Sequence, residues 1–177
     1  MEKIGIFCAA CDNIDQIYFD AANRLGEWMG HTRKTLVYGG ADMGLMGEVA
    51  KAVKAGGGRV FGVVPTKLEE GGHVSDLLDV TFACNNLSDR KDIMIQESEV
   101  MVALPGGVGT LDEVFTVAAS NSIGYHDKRI ILYNVNGFWN ELVSLMNGLS
   151  DKGFLRHEVE HYFVLANTLE ELKTLIE

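Results

Sequence analysis

Val100-Met101-Val102-Ala103-Leu104-Pro105-Gly106-Gly107-Val108-Gly109-Thr110-Leu111-Asp112-Glu113 is the stretch on which the fold turns. Five apolar residues in a row, Val100–Leu104, suit a strand covered on both faces, as central strands of parallel sheets are. Three glycines follow within five residues, and then Val114, Val117 and Ala118 recur at helical spacing. Glycines let the backbone turn sharply and bring its N–H groups close to an anion. The helix N-terminus adds partial positive charge there, and the Thr110 hydroxyl adds a donor. Glu113, one turn into the helix, is placed to reach a ribose attached to a phosphate held in that turn.

Outward from this stretch the pattern keeps alternating. Lys3–Phe7, Leu36–Tyr38, Arg59–Val64, Asp79–Ala83, Ile130–Tyr133 and Tyr162–Leu165 read as further short strands. Helices are expected over 14–31, 45–55, 88–97, 110–121, 138–147 and 169–176, the last capped by Thr168. Residues 66–75 are polar and contain glycine, and they read as a loop. Strand–helix alternation from end to end predicts an α/β fold, a doubly wound parallel sheet with helices on both faces. Ligands in such sheets bind beyond the carboxyl ends of strands, near the point where strand order reverses.

Composition narrows the function. The chain has 177 residues, which suits a single domain over 1–177, and it carries 20 Gly against 2 Pro. With 25 acidic and 15 scattered basic residues its net charge is −10, so no nucleic acid is expected as a partner. A small phosphorylated ligand remains compatible with that charge, because backbone N–H groups at one helix end outweigh a diffuse field. No stretch has the length of a signal-peptide core or a membrane span, so no membrane partner is expected. Three cysteines without a dense framework fit a reducing, cytoplasmic location.

Four further segments carry chemistry or imitate it. Tyr38-Gly39-Gly40-Ala41-Asp42-Met43-Gly44-Leu45-Met46-Gly47 also joins a strand to a helix, and it matches neither the P-loop nor G-x-G-x-x-G. It reads equally as a nucleotide-approaching turn or as a packing device. Asp89-Arg90-Lys91-Asp92 opens a helix, where cations oppose the macrodipole, so Arg90 and Lys91 invite a functional reason. His157-Glu158-Val159-Glu160-His161 formally matches the zinc-hydrolase pattern but sits in a short polar segment before a strand, and no metal is expected. Cys8-Ala9-Ala10-Cys11 has redox spacing, yet Cys8 ends a buried strand and reads as a small hydrophobe.

At Pro-Gly-Gly-Val-Gly-Thr-Leu-Asp-Glu (105–113), with Asp-Arg-Lys (89–91) upstream, the sequence resembles the Lonely Guy family of phosphoribohydrolases, long labelled lysine decarboxylase-like. The resemblance spans nearly the whole chain, including Val-Tyr-Gly-Gly-Ala-Asp-Met-Gly-Leu-Met-Gly (37–47), Gly-Val-Val-Pro (62–65) and His-Asp-Lys-Arg-Ile (126–130). It implies a Rossmann-like homodimer, without a cofactor, that cleaves the N-glycosidic bond of a nucleoside 5′-monophosphate such as a cytokinin ribotide or AMP. Carried over, Gly106, Gly107, Gly109 and Thr110 hold the phosphate, Arg90 and Glu113 are catalytic with Lys91 beside them, and Gly39, Gly40 and Leu87 meet the substrate. The chain departs from the family in having Leu87 where Met is common and Ala9-Ala10-Cys11 for Gly-Ser-Ser. It also has Ala41 for a third Gly, and Ser120 and Ser122 where Trp and Gln are common. No lysine lies in a recognisable pyridoxal-phosphate setting, so the decarboxylase label has no support in the residues. A related class with the same phosphate elements, non-catalytic nucleotide or molybdenum-cofactor carriers, is the alternative.

Overall fold

In the computed structural model, which describes residues 1–177, the strands are β1 (Lys3–Phe7), β2 (Thr35–Tyr38), β3 (Arg59–Pro65), β4 (Val80–Cys84), β5 (Val100–Ala103), β6 (Ile130–Tyr133) and β7 (Phe163–Ala166). Between them run α1 (Gln16–His31), α2 (Gly44–Ala55), α3 (Thr66–Glu70), α4 (Leu87–Glu97), α5 (Val108–Ser122), α6 (Asn140–Asp151) and α7 (Val159–Tyr162), and α8 (Leu169–Ile176) follows β7. All seven strands pair in parallel, in the order β4-β3-β2-β1-β5-β6-β7. The chain therefore winds outward from β1 on one side, returns to lay β5 along the other edge of β1, and winds outward again. Between β1 and β5 the connections diverge and leave a crevice.

Alternation along the strands fills both faces. Ile4 and Ile6 of β1 pack with Leu25 and Met29 of α1, Val49 and Val53 of α2, and Leu172 and Ile176 of α8. Phe7, one residue out of step, packs on the other side with Met94 of α4 and Val114 and Val117 of α5. Over β1, β2, β3, β5 and β6 neither face is left to water, which is why those strands read as near-continuous apolar runs; the edge strand β4 keeps Thr81 and Ala83 exposed. The expected doubly wound sheet with helices on both faces is the observed one. No helix is long and apolar enough to cross a membrane.

Three local differences from the sequence reading have physical causes. Residues 66–70, expected as loop, form the single-turn helix α3, and β3 continues through Pro65 to pair with Cys84. Proline's fixed φ is compatible with both the end of a strand and the start of a helix. Helix α6 begins at Asn140 rather than Phe138, because residues 135–137 form a 3-10 turn first. The Asn134 side chain holds that turn: its Oδ1 accepts from the Trp139 N–H, and its Nδ2 donates to Asn140 and Asn167, each at 2.8 Å. Finally, α7 occupies 159–162 and moves the start of β7 to Phe163. The Thr168 cap is as expected, with Oγ1 accepting from the Glu171 N–H at 3.2 Å.

Candidate functional site

The crevice at the strand-order reversal is built from backbone first. Beyond the ends of β1 and β5 the ladder continues, with the Leu104 N–H donating to the Phe7 carbonyl at 2.9 Å and the Ala9 N–H to the Pro105 carbonyl at 3.1 Å. The start of α2 is tied to the same turn: the Leu45 N–H donates to the Ala9 carbonyl, and the Gly44 N–H to the Asp12 carboxylate at 2.8 Å. Gly44 has φ +56°, and a Cβ there would stand 2.5 Å from the Ala10 carbonyl carbon, so this junction admits only glycine. These ties frame a cavity of about 300 Å³. Its walls are the 8–11 turn, Gly39 and Met46 on one flank, Arg90 across from β1, and residues 107–110 with Glu113 on the α5 side.

Arg90 is fixed by the sheet, not by an acid. Its Nε donates to the Val63 carbonyl at 3.2 Å and its Nη2 to the Gly39 carbonyl at 2.6 Å. The guanidinium thus lies across the ends of β2 and β3, and a Cβ on Gly39 would overlap it. Asn86 sets the start of α4 that delivers it, its Oδ1 accepting from the N–H groups of Ser88 and Asp89 at 2.9 Å.

The α5 wall is open where the Arg90 wall is packed. Gly107 precedes the helix without any side-chain cap. The first N–H groups of a helix have no intrahelical acceptor, so those of Val108, Gly109 and Thr110 face the cavity as donors. A Cβ on Gly107 or Gly109 would meet no protein atom within 4 Å. Thr110 is buried, its side chain folded over Gly106, where a Cβ would collide with it. The Glu113 carboxylate makes no hydrogen bond within the chain. Burial pushes its carboxyl up to about 7; the Arg90 guanidinium pulls down, Asp112 pushes up and Lys91 pulls down. Arg90 and Glu113 face the same space without forming an ion pair.

Of the residues singled out from sequence, Arg90, Glu113, Gly39, Gly107, Gly109 and Thr110 line this cavity. Gly106 lies beneath it, supporting Thr110. Gly40, with φ +80°, turns its Cα toward Val64 and away from the cavity. Leu87 is exposed and borders a separate hollow on the far side of Arg90, with Pro65, Lys67 and Leu68. The Lys91 ammonium does not reach the cavity and pairs with Asp112, at 2.8 and 2.9 Å to its two oxygens. Sequence reasoning gave no site role to Ala9, Ala10 and Cys11, which together with Met46 of the 38–47 segment complete the walls; their position after β1, the strand beside β5, was the available signal.

The two imitations resolve locally. Cys8 is buried at the end of β1, where burial and the nearby Glu113 carboxylate push its thiol up, and no helix begins before Gln16. A thiol so raised is a poor nucleophile. His157 lies outside α7, so it and His161 do not share a helix face, although their rings stack with centres 4.2 Å apart.

Comparisons with known proteins converge on one family. Residues 46–176 match the family model described as "Possible lysine decarboxylase". A rice protein (Oryza sativa subsp. japonica) named "Probable cytokinin riboside 5'-monophosphate phosphoribohydrolase LOGL2" is 38% identical over 170 residues, covering 96% of this chain and 70% of its own. The Arabidopsis thaliana enzyme named cytokinin riboside 5′-monophosphate phosphoribohydrolase LOG5 is 35% identical over 99% of this chain and 77% of its own. Among solved structures, the molybdenum cofactor carrier protein of Chlamydomonas reinhardtii superposes with a TM-score of 0.75 at 24% identity, over 99% of this chain and 95% of that one. At that identity the likeness speaks for the fold.

Proposed function

This chain belongs to the Lonely Guy family of phosphoribohydrolases, and on that premise we propose that it hydrolyses the N-glycosidic bond of a purine nucleoside 5′-monophosphate. The products are the free base and ribose 5-phosphate, and the candidate substrates are cytokinin ribotides and AMP. One observation carries the site-level reading: the Glu113 carboxylate stands half-buried and without a hydrogen bond one turn above three free N–H donors. A phosphate at those donors puts the ribose beside the carboxylate.

Breaking a ribosyl C–N bond builds positive charge on the sugar, as in glycoside hydrolysis. A carboxylate held near the anomeric carbon stabilises that charge, activates water or attacks directly, and the geometry serves all three. Gly107, Gly109 and Thr110 bind the phosphate, and that remote binding energy fixes the ribose against Glu113. Arg90, anchored by two carbonyls and free of any acid, keeps its charge available to the substrate or to the departing base. Gly39 contributes by leaving room for Arg90.

We read the chain as one domain, since both apolar layers share one sheet, and place it in the cytoplasm on the strength of its free cysteines. We expect a homodimer. The α5 side of the molecule exposes Val108, Phe115, Ile123 and Tyr125, apolar side chains that a second copy would cover. Light scattering should return twice the chain's 19.4 kDa.

The test of the reaction is Glu113→Gln, which keeps size and polarity but removes the charge that matters in the transition state. Ribose 5-phosphate release from AMP or an N6-substituted relative should fall by roughly 100-fold or more, with nucleotide affinity changing far less. If the wild type binds AMP yet releases no sugar phosphate from any of several 5′-monophosphates, the carrier reading replaces this one.

A further inference from the structure

Arg90 and Lys91 are neighbours on α4, and Asp112 and Glu113 are neighbours on α5. The first of one pair and the second of the other face the cavity, while the remaining two meet each other. Lys91 reaches both oxygens of Asp112, and no other hydrogen bond joins the two helices. The lysine side chain is only 14% exposed and the aspartate 51%, so the ammonium is held at the helix junction with one face toward solvent. Arg90 is itself immobilised by Val63 and Gly39, whereas Glu113 has no partner of its own. Its place relative to Arg90 therefore depends on what holds α5 against α4.

We propose that Lys91 and Asp112 are positioning residues whose ion pair locks α4 to α5 and so sets Glu113 opposite Arg90 across the cavity. The inference rests on the reading that Arg90 and Glu113 act on a bound nucleotide. It gives Lys91 a part in the reaction without contact with the substrate. An exposed pair of this kind adds little to stability, so its effect belongs to geometry and charge. The charged and titratable groups facing Glu113 are Arg90 and Lys91 from α4, Asp112 on its own helix and the Cys8 thiol from the end of β1.

The experiment compares Lys91→Met, Asp112→Asn and the reversed pair Lys91→Asp with Asp112→Lys. Each single variant should lose about 10-fold in kcat with KM within about 2-fold, and the reversed pair should recover to within about 3-fold of wild type. Thermal melts close to wild type establish that all three fold. The acid limb of the pH profile should move in opposite directions, up in Lys91→Met and down in Asp112→Asn, by about half a unit or more. Those opposed shifts report that both charges act on Glu113, and the kcat loss with its rescue by the reversed pair reports the positioning. A rise in KM for Lys91→Met without rescue by the reversed pair would overturn the proposal, because it makes Lys91 a substrate ligand. The same opposed shifts should be seen in the 13C resonance of the Glu113 carboxyl, titrated without nucleotide. If the wild type hydrolyses nothing but those shifts are present, the pair stands and the hydrolase reading falls; if the wild type is active and the shifts are absent, the reverse holds.

Discussion

The two glycine-rich turns that bound the cavity use the same residue for opposite purposes. After β2, Gly39 and Gly44 are glycines because protein atoms occupy the space a side chain would take: the Arg90 guanidinium at one and the Ala10 backbone at the other. After β5, Gly107 and Gly109 have nothing of the protein near them. The first turn is packed so that a cation stays fixed. The second is packed only at Gly106, under Thr110, and is left bare at Gly107 and Gly109 so that backbone donors stay reachable. One flank of the site contributes to holding the molecule together, and the other withholds stability in exchange for access.

The sharpest way to break this contrast is Gly39→Ala. The added methyl must displace Arg90, which leaves two strand-end carbonyls without their charged donor, and overpacking of this kind costs about 1–3 kcal/mol before the lost hydrogen bonds are added. Denaturant unfolding should show a loss of about 3 kcal/mol or more, and sugar-phosphate release should fall with it. An unchanged midpoint would mean that Arg90 is loosely held.

Glu113 sharpens the contrast from the open side. Its folded-state carboxyl titrates near 7, above the ordinary 4.5, so the folded protein binds the proton more tightly than the unfolded chain does. That linkage favours the fold below about pH 4.5 and is lost as pH rises through 7. At pH 8 the ionised, half-buried carboxylate costs up to about 3 kcal/mol. Glu113→Gln should therefore melt higher than wild type at pH 8 and alike at pH 5, while being the less active protein. Equal melting at both pH values would show that water reaches the carboxylate freely. In the wild type, a reaction that uses ionised Glu113 should speed up through about pH 7.

Gly109→Ala is the smallest perturbation. With helical backbone and open space around the position, alanine should stabilise the fold by about 0.4–1 kcal/mol, yet weaken nucleotide binding about 10-fold by standing where the phosphate approaches. Calorimetric melting and nucleotide titration on one sample would check both halves. A destabilised variant would place Gly109 with Gly39 and erase the distinction.

The distinction was only partly legible in the sequence. Strand–helix alternation and the uninterrupted run at 100–104 announced a parallel sheet, because a strand buried on both faces has no polar face to display. Glu113 and Thr110 could be placed because a helix start is a local event. Which strand lies beside β5 is not local, so Ala9, Ala10 and Cys11 went without a place in the site although they help close the cavity. Gly39 and Gly40 look alike in sequence, and only the turn's φ values send one toward the site and the other away. The partner of Lys91 stands 21 positions downstream on another helix, a separation no periodicity reports. Where a side-chain network decides, as Asn134 does for the start of α6, propensity places a boundary two residues off.

Arg90 and Gly39 have a consequence for how this protein can change over generations. The guanidinium fills the volume that any other residue at 39 would claim, so the two positions, 51 apart, constrain each other. A lineage that loses the arginine opens a hole beside β2 into which larger residues at 39 can drift once the flexible Met46 side chain yields. Once one has settled there, restoring the arginine alone no longer restores the site. Loss of the cation is a step with a ratchet behind it, and the pair of letters at 39 and 90 should tell a descendant that kept this chemistry from one that has left it.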